Sequence, residues 1–414
     1  MHDVISSTTS GLAARSVRNK HYRAWLVNNS ITFINRQKGG SNMPDDRDRL
    51  DELSRNERLI LALVRRHGPM PRASLAHATG VSAQAMTNLT RKLIKNGLLA
   101  EQDVVRGKVG QPSTPLSLAP DGALFLGLKL GRKLVELALV DFAGQIKFHR
   151  QEVLSNLTPD RVLNFAHHGI ATFQSSLSPE MQKRIAGLGI ATPFRLWDWG
   201  KEMADWRGFD LRDELGRDLP FPIFLENDAT TACGAELIFG RRDLPADFLH
   251  IYMAHFPGGG IVLDGNLRFG PRRNAAALGS TLLPGGEQLL DRASVARLEH
   301  RLGRSLPPDD SGWNPPEAIE SEWAREAGQA LAFTALTAVS IVDLPLVVID
   351  GAIPPATRTR LVEATREALA TLPAEGIDRP QVIEGSMGRT ARVLGAAALP
   401  LSHFFQPNGI SYKG

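Results

Sequence analysis

The chain contains one cysteine, Cys233, among its 414 residues. A disulfide framework within one chain and a metal site built from several thiolates are therefore excluded, and the composition favours a reducing compartment. Long apolar runs are also missing, since no stretch approaches the roughly 20 residues needed to span a bilayer. The N-terminus lacks the apolar segment of a signal peptide. We therefore expect a cytoplasmic protein that has no membrane partner.

The sequence does contain ample apolar material for a globular core, with 43% hydrophobic residues, and its length predicts two or three domains. Positive charge is concentrated near the start. Residues 56–118 carry nine Lys and Arg against three Asp and Glu, a net charge of +6, and residues 1–55 carry +3. The whole chain carries only +4, so the remainder is acidic by five charges. Such a concentration is what binding to phosphates requires.

The pattern of residues 54–118 predicts three helices followed by a small sheet. Ser54 and Glu57 fit a capping box at the start of the first helix. The second helix is short and ends at Gly80, and Ser82 caps the third. Two helices joined by a tight turn containing glycine indicate a helix-turn-helix. We therefore expect the third helix to be a recognition helix that enters the major groove.

The polar face of this third helix carries amide, hydroxyl and basic side chains. Five of them are predicted to contact DNA, namely Gln84, Thr87, Asn88, Arg91 and Lys92. The two amides can pair with adenine, and the threonine can meet a thymine methyl group or a phosphate. The two cations are expected at phosphates, which position a protein on DNA but carry no sequence information.

After the third helix, Leu98-Leu99 is expected to begin a short strand, and Val104-Val105 and residues 116–118 are expected to pair as a wing. Its tip is basic, and Arg106, Lys108 and Gln111 are predicted to lie along a minor groove. The alternative is a three-helix module that packs against another protein and keeps a solvated basic face. Pattern and charge together favour DNA binding over this alternative.

Outside this module the sequence predicts an irregular arm over residues 1–53, in which Met43 is a plausible alternative start. A turn at 119–122 marks a domain boundary. From there strands and helices alternate, which indicates an α/β architecture. Strands are predicted in 124–153, 185–194, 221–226 and 346–350, a hairpin with a glycine cluster between its halves in 248–270, and helices over 161–177, 321–342, 354–372 and 391–399.

Four segments occur in a characteristic order behind the predicted winged helix: LGLKLGRKLVELALVDFAG, GLGIATP, FLENDATTACGAELIFG and GGGIVLDGNLRFG. With them the chain resembles the ROK family, which groups sugar-responsive repressors with sugar kinases. The resemblance covers about residues 54–405. It implies an α/β fold in which an N-terminal winged helix-turn-helix (54–118) precedes a two-lobed, actin-like, ribonuclease H-like fold. The small lobe would comprise 119–225 with the helix 386–405, and the large lobe 226–385.

The resemblance also assigns two ligand-binding residues, Asn227 and Asp228. Asp228 matches the carboxylate that takes a proton from the sugar hydroxyl in ROK kinases. Without ATP it would only accept a hydrogen bond from a ligand hydroxyl. The alternative is that Asn227-Asp228 caps the helix that follows, and both roles can hold at once.

Three nucleotide-binding elements of the kinases are altered here. The first phosphate loop, Asp-x-Gly-x-Thr in the kinases, has Lys129, Gly131 and Lys133 at the matching positions. The second keeps glycines only at 258–260, and the late Gly-Gly-Gly reads Asp350-Gly-Ala. Phosphoryl transfer needs positioned phosphates and a carboxylate that organises the metal, so we expect no ATP binding and no enzymatic activity. A buried salt bridge is an equally simple role for Lys129.

The zinc elements of the family are missing as well. The Glu-x-Gly-His element appears as Ala277-Leu-Gly-Ser, and the cysteine-rich loop is replaced by residues 283–290, which contain no cysteine. A zinc site of the family type is therefore excluded. We interpret His250 and His255 as isolated side chains and predict neither a metal nor another cofactor.

These observations predict a ROK-type transcriptional repressor whose partners are a double-stranded DNA operator and a small-molecule effector, a sugar or a related metabolite. The effector would bind between the two lobes. Because helix-turn-helix proteins read paired half-sites, we expect a homodimer or a homotetramer. Two alternatives stay open: a sugar kinase with a DNA-binding appendage, and a DNA-binding protein that is controlled by a sequestering partner and has no effector.

Overall fold

The first part of the chain folds into three helices and a three-stranded sheet. The computed structural model describes residues 53–103, 114–154, 156–198 and 200–407. The elements of this part are α1 Arg55–His67, β1 Met70–Pro71, α2 Arg72–Thr79, α3 Ala83–Lys95, β2 Leu99–Glu101 and β3 Pro115–Leu118.

The capping box predicted at the start of α1 is confirmed. The Glu57 amide donates to Ser54 Oγ over 3.3 Å, and the Ser54 amide donates to Glu57 Oε2 over 2.8 Å. Helix α2 ends at Gly80, whose positive φ of 69° favours glycine. The strand predicted after the third helix is present as β2, and its Leu99 lies opposite Leu118 in an antiparallel register. The partner predicted for residues 116–118, Val104-Val105, lies outside the described residues.

A five-stranded sheet follows, in the order β6-β5-β4-β7-β8. Its first three strands are antiparallel, and β7 and β8 join in parallel, as crossover helices require. Both β4 and β7 are buried along their whole length, which explains their continuous apolar sequence. The elements are β4 Leu124–Leu130, β5 Leu134–Asp141, β6 Ile146–Val153, α4 Pro159–Ser175, α5 Pro179–Lys183, β7 Ile185–Thr192, α6 Leu211–Asp218 and β8 Ile223–Asn227.

The last part contains a second five-stranded sheet, in the order β11-β10-β9-β12-β13. Its core forms between this sheet and the long helix α10, where Trp323 is fully buried. The elements are α7 Asp228–Phe239, β9 Phe248–Met253, β10 Gly258–Leu263, β11 Asn266–Arg268, α8 Leu289–Ala293, α9 Val295–Leu302, α10 Glu317–Val342, β12 Leu346–Gly351, α11 Pro355–Thr371, β13 Gln381–Glu384 and α12 Ala391–Phe405.

The hairpin of β9 and β10 departs from its prediction in one respect. The glycines 258–260 were expected between its two halves, but they form the first half of β10. A Cβ atom on Gly260 would lie 2.3 Å from the Cβ atom of Cys233 on α7. The glycines therefore allow α7 to approach the sheet closely, and they do not serve a turn.

Helix α12 extends beyond the predicted end at Leu399 and continues through Pro400 to Phe405. A proline inside a helix removes one hydrogen bond and normally ends the helix. Here the turn after Pro400 is buried, with Leu401 and Phe405 almost fully inaccessible. Packing of this turn outweighs the local preference, so the end at Leu399 predicted from the local pattern was wrong, whereas the end at residue 405 implied by the resemblance is confirmed.

Two glycines let α12 pack closely against its neighbours. A Cβ atom on Gly395 would lie 1.9 Å from the Thr231 carbonyl oxygen of α7. A Cβ atom on Gly189 of β7 would lie 1.8 Å from the Ala396 carbonyl oxygen. Helix α12 thus joins the first sheet to α7, although it comes from the end of the chain. The boundaries of the two predicted lobes stay a prediction.

Helix length and composition decide whether a helix could span a membrane. None of the helices in the described part of the chain is both long enough and apolar enough to cross a bilayer. The longest, α10, has 26 residues and carries several charged side chains in its first half.

Candidate functional site

Helix α3 presents most of the predicted DNA-contacting residues to solvent. Gln84, Asn88, Arg91 and Lys92 are exposed, and Thr87 is half-buried. The spacing of Gln84, Asn88 and Arg91 places these three side chains on one face of the helix. The Thr87 hydroxyl donates to the Ala83 carbonyl oxygen of the same helix over 2.9 Å. The geometry therefore permits direct base contact by the two amides.

Lys92 has a second partner that the sequence did not suggest. Its Nζ lies 3.0 Å from Oε1 of Glu57, the residue that completes the capping box of α1. Burial by itself would raise the pKa of Glu57, but hydrogen bonds from Ser54 and Lys92 lower it. Lys92 thus ties the recognition helix to α1, in addition to its predicted role at phosphates.

The wing residues predicted to contact DNA, Arg106, Lys108 and Gln111, lie outside the described residues. Their role stays a prediction. What the structure does give is the base of the wing, because β2 and β3 pair and β1 pairs with the other side of β3.

Helix α1 also contacts the rest of the protein, a connection for which the sequence gave no signal. The Arg66 guanidinium donates to the Leu244 carbonyl oxygen over 2.7 Å. The guanidinium carbon of Arg65 lies 4.9 Å from the ring centre of Phe142 and 5.9 Å from that of Phe239. Burial lowers the pKa of Arg65 to about 9, against the attraction of Asp141, so its cation persists at neutral pH.

The predicted ligand residues lie where β8 passes into α7. Asn227 caps the helix, because its Oδ1 accepts hydrogen bonds from the amides of Ala229 at 3.0 Å and Thr230 at 3.4 Å. The capping alternative is therefore confirmed for Asn227. Asp228 has a different partner, since its Oδ2 lies 3.0 Å from Nη1 of Arg392.

Arg392 is the residue that sequence reasoning missed at this site. It is the second residue of α12, its side chain is only 13% exposed, and its guanidinium carbon lies 5.3 Å from the ring centre of Tyr252. No local pattern links Arg392 to Asp228, because 164 positions separate them. A ligand hydroxyl that binds Asp228 would therefore share the carboxylate with Arg392 or displace it.

A second ion pair lies in the same charged region. Lys129 Nζ and Glu136 Oε1 are 2.7 Å apart and nearly inaccessible, so the salt-bridge interpretation of Lys129 is confirmed. His149 Nε2 lies 3.4 Å from the other oxygen of Glu136. Burial alone would raise the pKa of Glu136, but Lys129, His149 and Arg392 outweigh it and lower the pKa to about 2.

The interpretation of His255 as isolated was wrong. The Arg132 guanidinium contacts His255 Nε2, and His255 Nδ1 lies 3.3 Å from Glu299 Oε2. These contacts join the two segments that match the phosphate loops of the kinases.

His250 is not isolated either. Glu236 of α7 and Asp350 of β12 place carboxylate oxygens near its ring, and all three residues are fully buried. The sequence could not reveal this group, since its members come from three elements that meet only in the folded chain. Glu226 is a further buried carboxylate, and it contacts Arg273.

The comparisons with known proteins agree with this arrangement. The ROK family model matches residues 125–294, and the MarR family model matches residues 53–103. The protein y4fQ of Sinorhizobium fredii is 25% identical over 386 residues, which cover 88% of this chain and 95% of that protein. The DNA-binding transcriptional dual regulator NagC of Escherichia coli is 23% identical and matches 74% of this chain and 82% of its own length.

The xylose repressor of Bacillus subtilis is 22% identical over 221 residues, which span 51% of this chain and about half (56%) of the repressor. Among solved structures, a ROK family transcriptional regulator described as a homolog of the E. coli MLC protein superposes with a TM-score of 0.61. It covers 84% of this chain and 95% of that chain at 20% identity. The predicted fold class, a winged helix followed by an actin-like α/β fold, is thereby confirmed. This chain thus carries a ROK family domain over residues 125–294 and, in front of it, a MarR-type winged-helix region over residues 53–103.

Proposed function

We propose that this chain is a DNA-binding transcriptional regulator whose affinity for a double-stranded operator is set by a sugar or a related metabolite bound at Asp228. The exposed face of α3, with Gln84, Asn88 and Arg91, supports the proposed binding to DNA. The named relatives support repression as the direction of control, because the xylose repressor carries that role in its name.

The observation that carries the proposal is the position of α12 between the two sites. Near its start, Arg392 binds Asp228 over 3.0 Å. Near its end, the His403 carbonyl oxygen accepts a hydrogen bond from Arg58 of α1 over 3.4 Å. At 1.5 Å per residue these points lie roughly 16 Å apart along one rigid helix. A ligand that competes for Asp228 would shift α12 and so reach the winged helix, which is coupling between two distinct sites.

We further infer that the chain is not a kinase. Lys129 stands where the kinase loop has its aspartate, and it is bound to Glu136. Asp228 is bound to Arg392, so a sugar hydroxyl would have to compete with this guanidinium for the carboxylate. A coupled assay that measures ATP consumption with each sugar of a panel tests this inference. Sugar-dependent consumption that is lost in Asp228→Asn would overturn it in favour of a sugar kinase with a DNA-binding appendage.

A regulator that binds DNA would act in the cytoplasm. Recognition of paired half-sites would require at least two copies of the chain. We therefore propose a homodimer or a homotetramer. Light scattering coupled to size exclusion would give the mass of the particle, and a monomer on operator DNA would contradict the proposal.

The proposal is tested by fluorescence anisotropy on the DNA upstream of the protein's own gene, against scrambled DNA, at two salt concentrations. We expect Asn88→Ala to reduce the preference for the operator by about 1–3 kcal/mol, because an amide reads a base edge. Arg91→Ala should weaken binding to both DNAs alike, because a phosphate contact is lost. The slope of log affinity against log salt concentration should fall in magnitude by about 1. Gln151→Ala, exposed on β6, is the matched control and should change neither.

The same assay with a sugar panel tests the effector. Release of operator DNA by one sugar, and loss of that release in Asp228→Asn, would support the proposal. Equal and steeply salt-dependent binding to both DNAs would contradict sequence-specific recognition. Operator binding that no sugar changes, together with no thermal shift across the panel, would favour control by a sequestering partner.

A further inference from the structure

Three buried side chains, two from the second sheet and one from α7, lie close together. Glu236 lies on α7, His250 on β9 and Asp350 on β12, and none of them is accessible to solvent. One imidazole nitrogen and one oxygen from each carboxylate lie within 4.8 Å of one another. We call these three residues the EHD cluster. It is distinct from the Asp228 site and from the cysteine-rich zinc loop that the sequence lacks.

The His250 ring lacks the partners that a buried imidazole needs. Neither Nδ1 nor Nε2 has a hydrogen-bond partner within the described part of the chain. A neutral imidazole offers one donor and one acceptor, and leaving buried polar groups unpaired is unfavourable.

The charges around His250 are also unbalanced. Glu236 has no lysine or arginine within ion-pair distance among residues 53–103, 114–154, 156–198 and 200–407. Asp350 lies 3.0 Å from Arg358, but Arg358 also pairs with a third carboxylate, Glu384, at 3.1 Å. Asp350 and Glu384 thus share one cation, and Glu236 has none at ion-pair distance among the described residues. An uncompensated buried carboxylate is costly, and a bound cation beside His250 would compensate it.

Both carboxylates are held in place by main-chain amides, and Glu236 also by a hydroxyl group. Glu236 accepts from the Ser386 amide and hydroxyl, each at 2.8 Å. Asp350 accepts from the amides of Met387 at 3.1 Å and Gly388 at 2.8 Å. Donors of this kind orient carboxylates at metal sites, and their mutation commonly weakens metal binding.

We propose that the EHD cluster binds one divalent transition-metal ion of the Zn²⁺ type. One imidazole and two carboxylates form a donor set that suits such ions. Ligand atoms around a tetrahedral ion at about 2.1 Å would lie roughly 3.4 Å apart, so the side chains would move inwards by about an ångström. Asp350, which already accepts four hydrogen bonds, would exchange the one from Arg358 for the metal.

The ion would join four segments of the fold: α7, β9, β12 and the turn at 385–388, which leads into α12. Its role would therefore be structural. The proposal does not depend on the proposed regulatory function, because no residue of the EHD cluster touches Asp228 or the recognition helix in the interactions described above.

The test uses the full chain without a histidine tag, stripped with a chelator and titrated with Zn²⁺ against a chromophoric competitor. We expect one equivalent per chain at micromolar concentration or tighter, and a higher melting temperature with Zn²⁺. Glu236→Gln and His250→Leu should each weaken binding at least tenfold. The control His167→Ala/His168→Ala removes two surface histidines outside the cluster and should bind as the original chain does.

Several outcomes would overturn the proposal. One is the absence of stoichiometric binding; another is binding that survives in Glu236→Gln or disappears in the His167/His168 control. Because His250→Leu could fail to fold, X-ray absorption of the Zn²⁺-loaded original chain provides an independent measurement. It should show one imidazole with oxygen ligands and no sulfur, and a second imidazole would contradict the assignment.

Discussion

Individual charged residues in this protein depend on partners that are remote in sequence. Lys129 replaces the carboxylate expected in a kinase loop, and it is tolerated inside the protein because Glu136 of the neighbouring strand neutralises it at 2.7 Å. Strand pairing brings the two together, since Lys129 lies directly opposite Glu136 in the β4–β5 register. The cross-strand pair is therefore a direct consequence of the hairpin.

Glu136→Gln should lower the free energy of unfolding by about 3 kcal/mol at neutral pH, because it leaves the Lys129 ammonium buried without a counter-ion. Glu136 has a folded-state pKa of about 2, below its ordinary 4.5. Its contribution is thus present above pH 4.5 and lost as the pH falls towards 2. Urea unfolding at several pH values measures the difference between the two proteins.

The control for this prediction is Glu152→Gln on the neighbouring strand β6. Its side chain is 47% exposed and lies 3.9 Å from Arg150, so its removal should change stability by less than about 0.5 kcal/mol. A difference between original and Glu136→Gln protein that stays constant down to pH 2 would contradict the assigned pKa.

Among the elements, α12 is the one whose position depends most on close backbone approach. It packs on α7 through Gly395 and on β7 through Gly189, where any side chain would overlap a carbonyl oxygen. The sequence showed a helix here because its apolar residues recur with helical spacing. It did not show that the helix passes through Pro400, since that depends on burial of the last turn by residues far away in the chain.

Gly395→Ala should lower the free energy of unfolding by at least about 2 kcal/mol, because the new methyl group overlaps the Thr231 carbonyl oxygen. The matched control is Gly216→Ala in α6, where nothing lies within 4 Å of the new Cβ atom. That variant should gain about 0.5–1 kcal/mol, since alanine favours a helix over glycine. Chemical unfolding measures both, and equal stability of the two variants would contradict the described packing.

On the scale of the whole molecule, the winged-helix region is held against the ROK domain by arginines of α1. Arg58 donates to a carbonyl oxygen of α12, and Arg66 donates to the Leu244 carbonyl oxygen. Arg65 lies over two aromatic rings. Signals between an effector and DNA would pass through these contacts. Their strength therefore decides whether the two parts behave as one unit.

Arg65→Ala should speed amide hydrogen exchange of residues 55–67 roughly tenfold, because the cation–π contacts to Phe142 and Phe239 are lost. Exchange in β4 should not change. Arg55→Ala is the matched control, since Arg55 belongs to the same helix but is exposed. Equal acceleration in both variants would contradict a specific role for the ring contacts of Arg65.

The sequence by itself determined most of the helices and strands and their order, but not the short elements α5, α6, α8, α9 and β13. Capping residues, helical spacing and runs of apolar residues are local signals, and they predicted the capping box at Ser54, the recognition helix and the passage from strand to helix at Asn227. The family resemblance supplied the actin-like fold. These features could be predicted because the residues that specify each of them lie within a few positions of one another.

Only the tertiary structure decided which side chains share a site. Arg392 reached Asp228 across 164 positions, and Glu236 and Asp350 reached His250, which the sequence had suggested was isolated. Glycines that looked like a turn were needed for close packing of α7 on β10. Such pairings depend on how sheets and helices stack, and no local pattern records the distance between residues that meet only when the chain is folded.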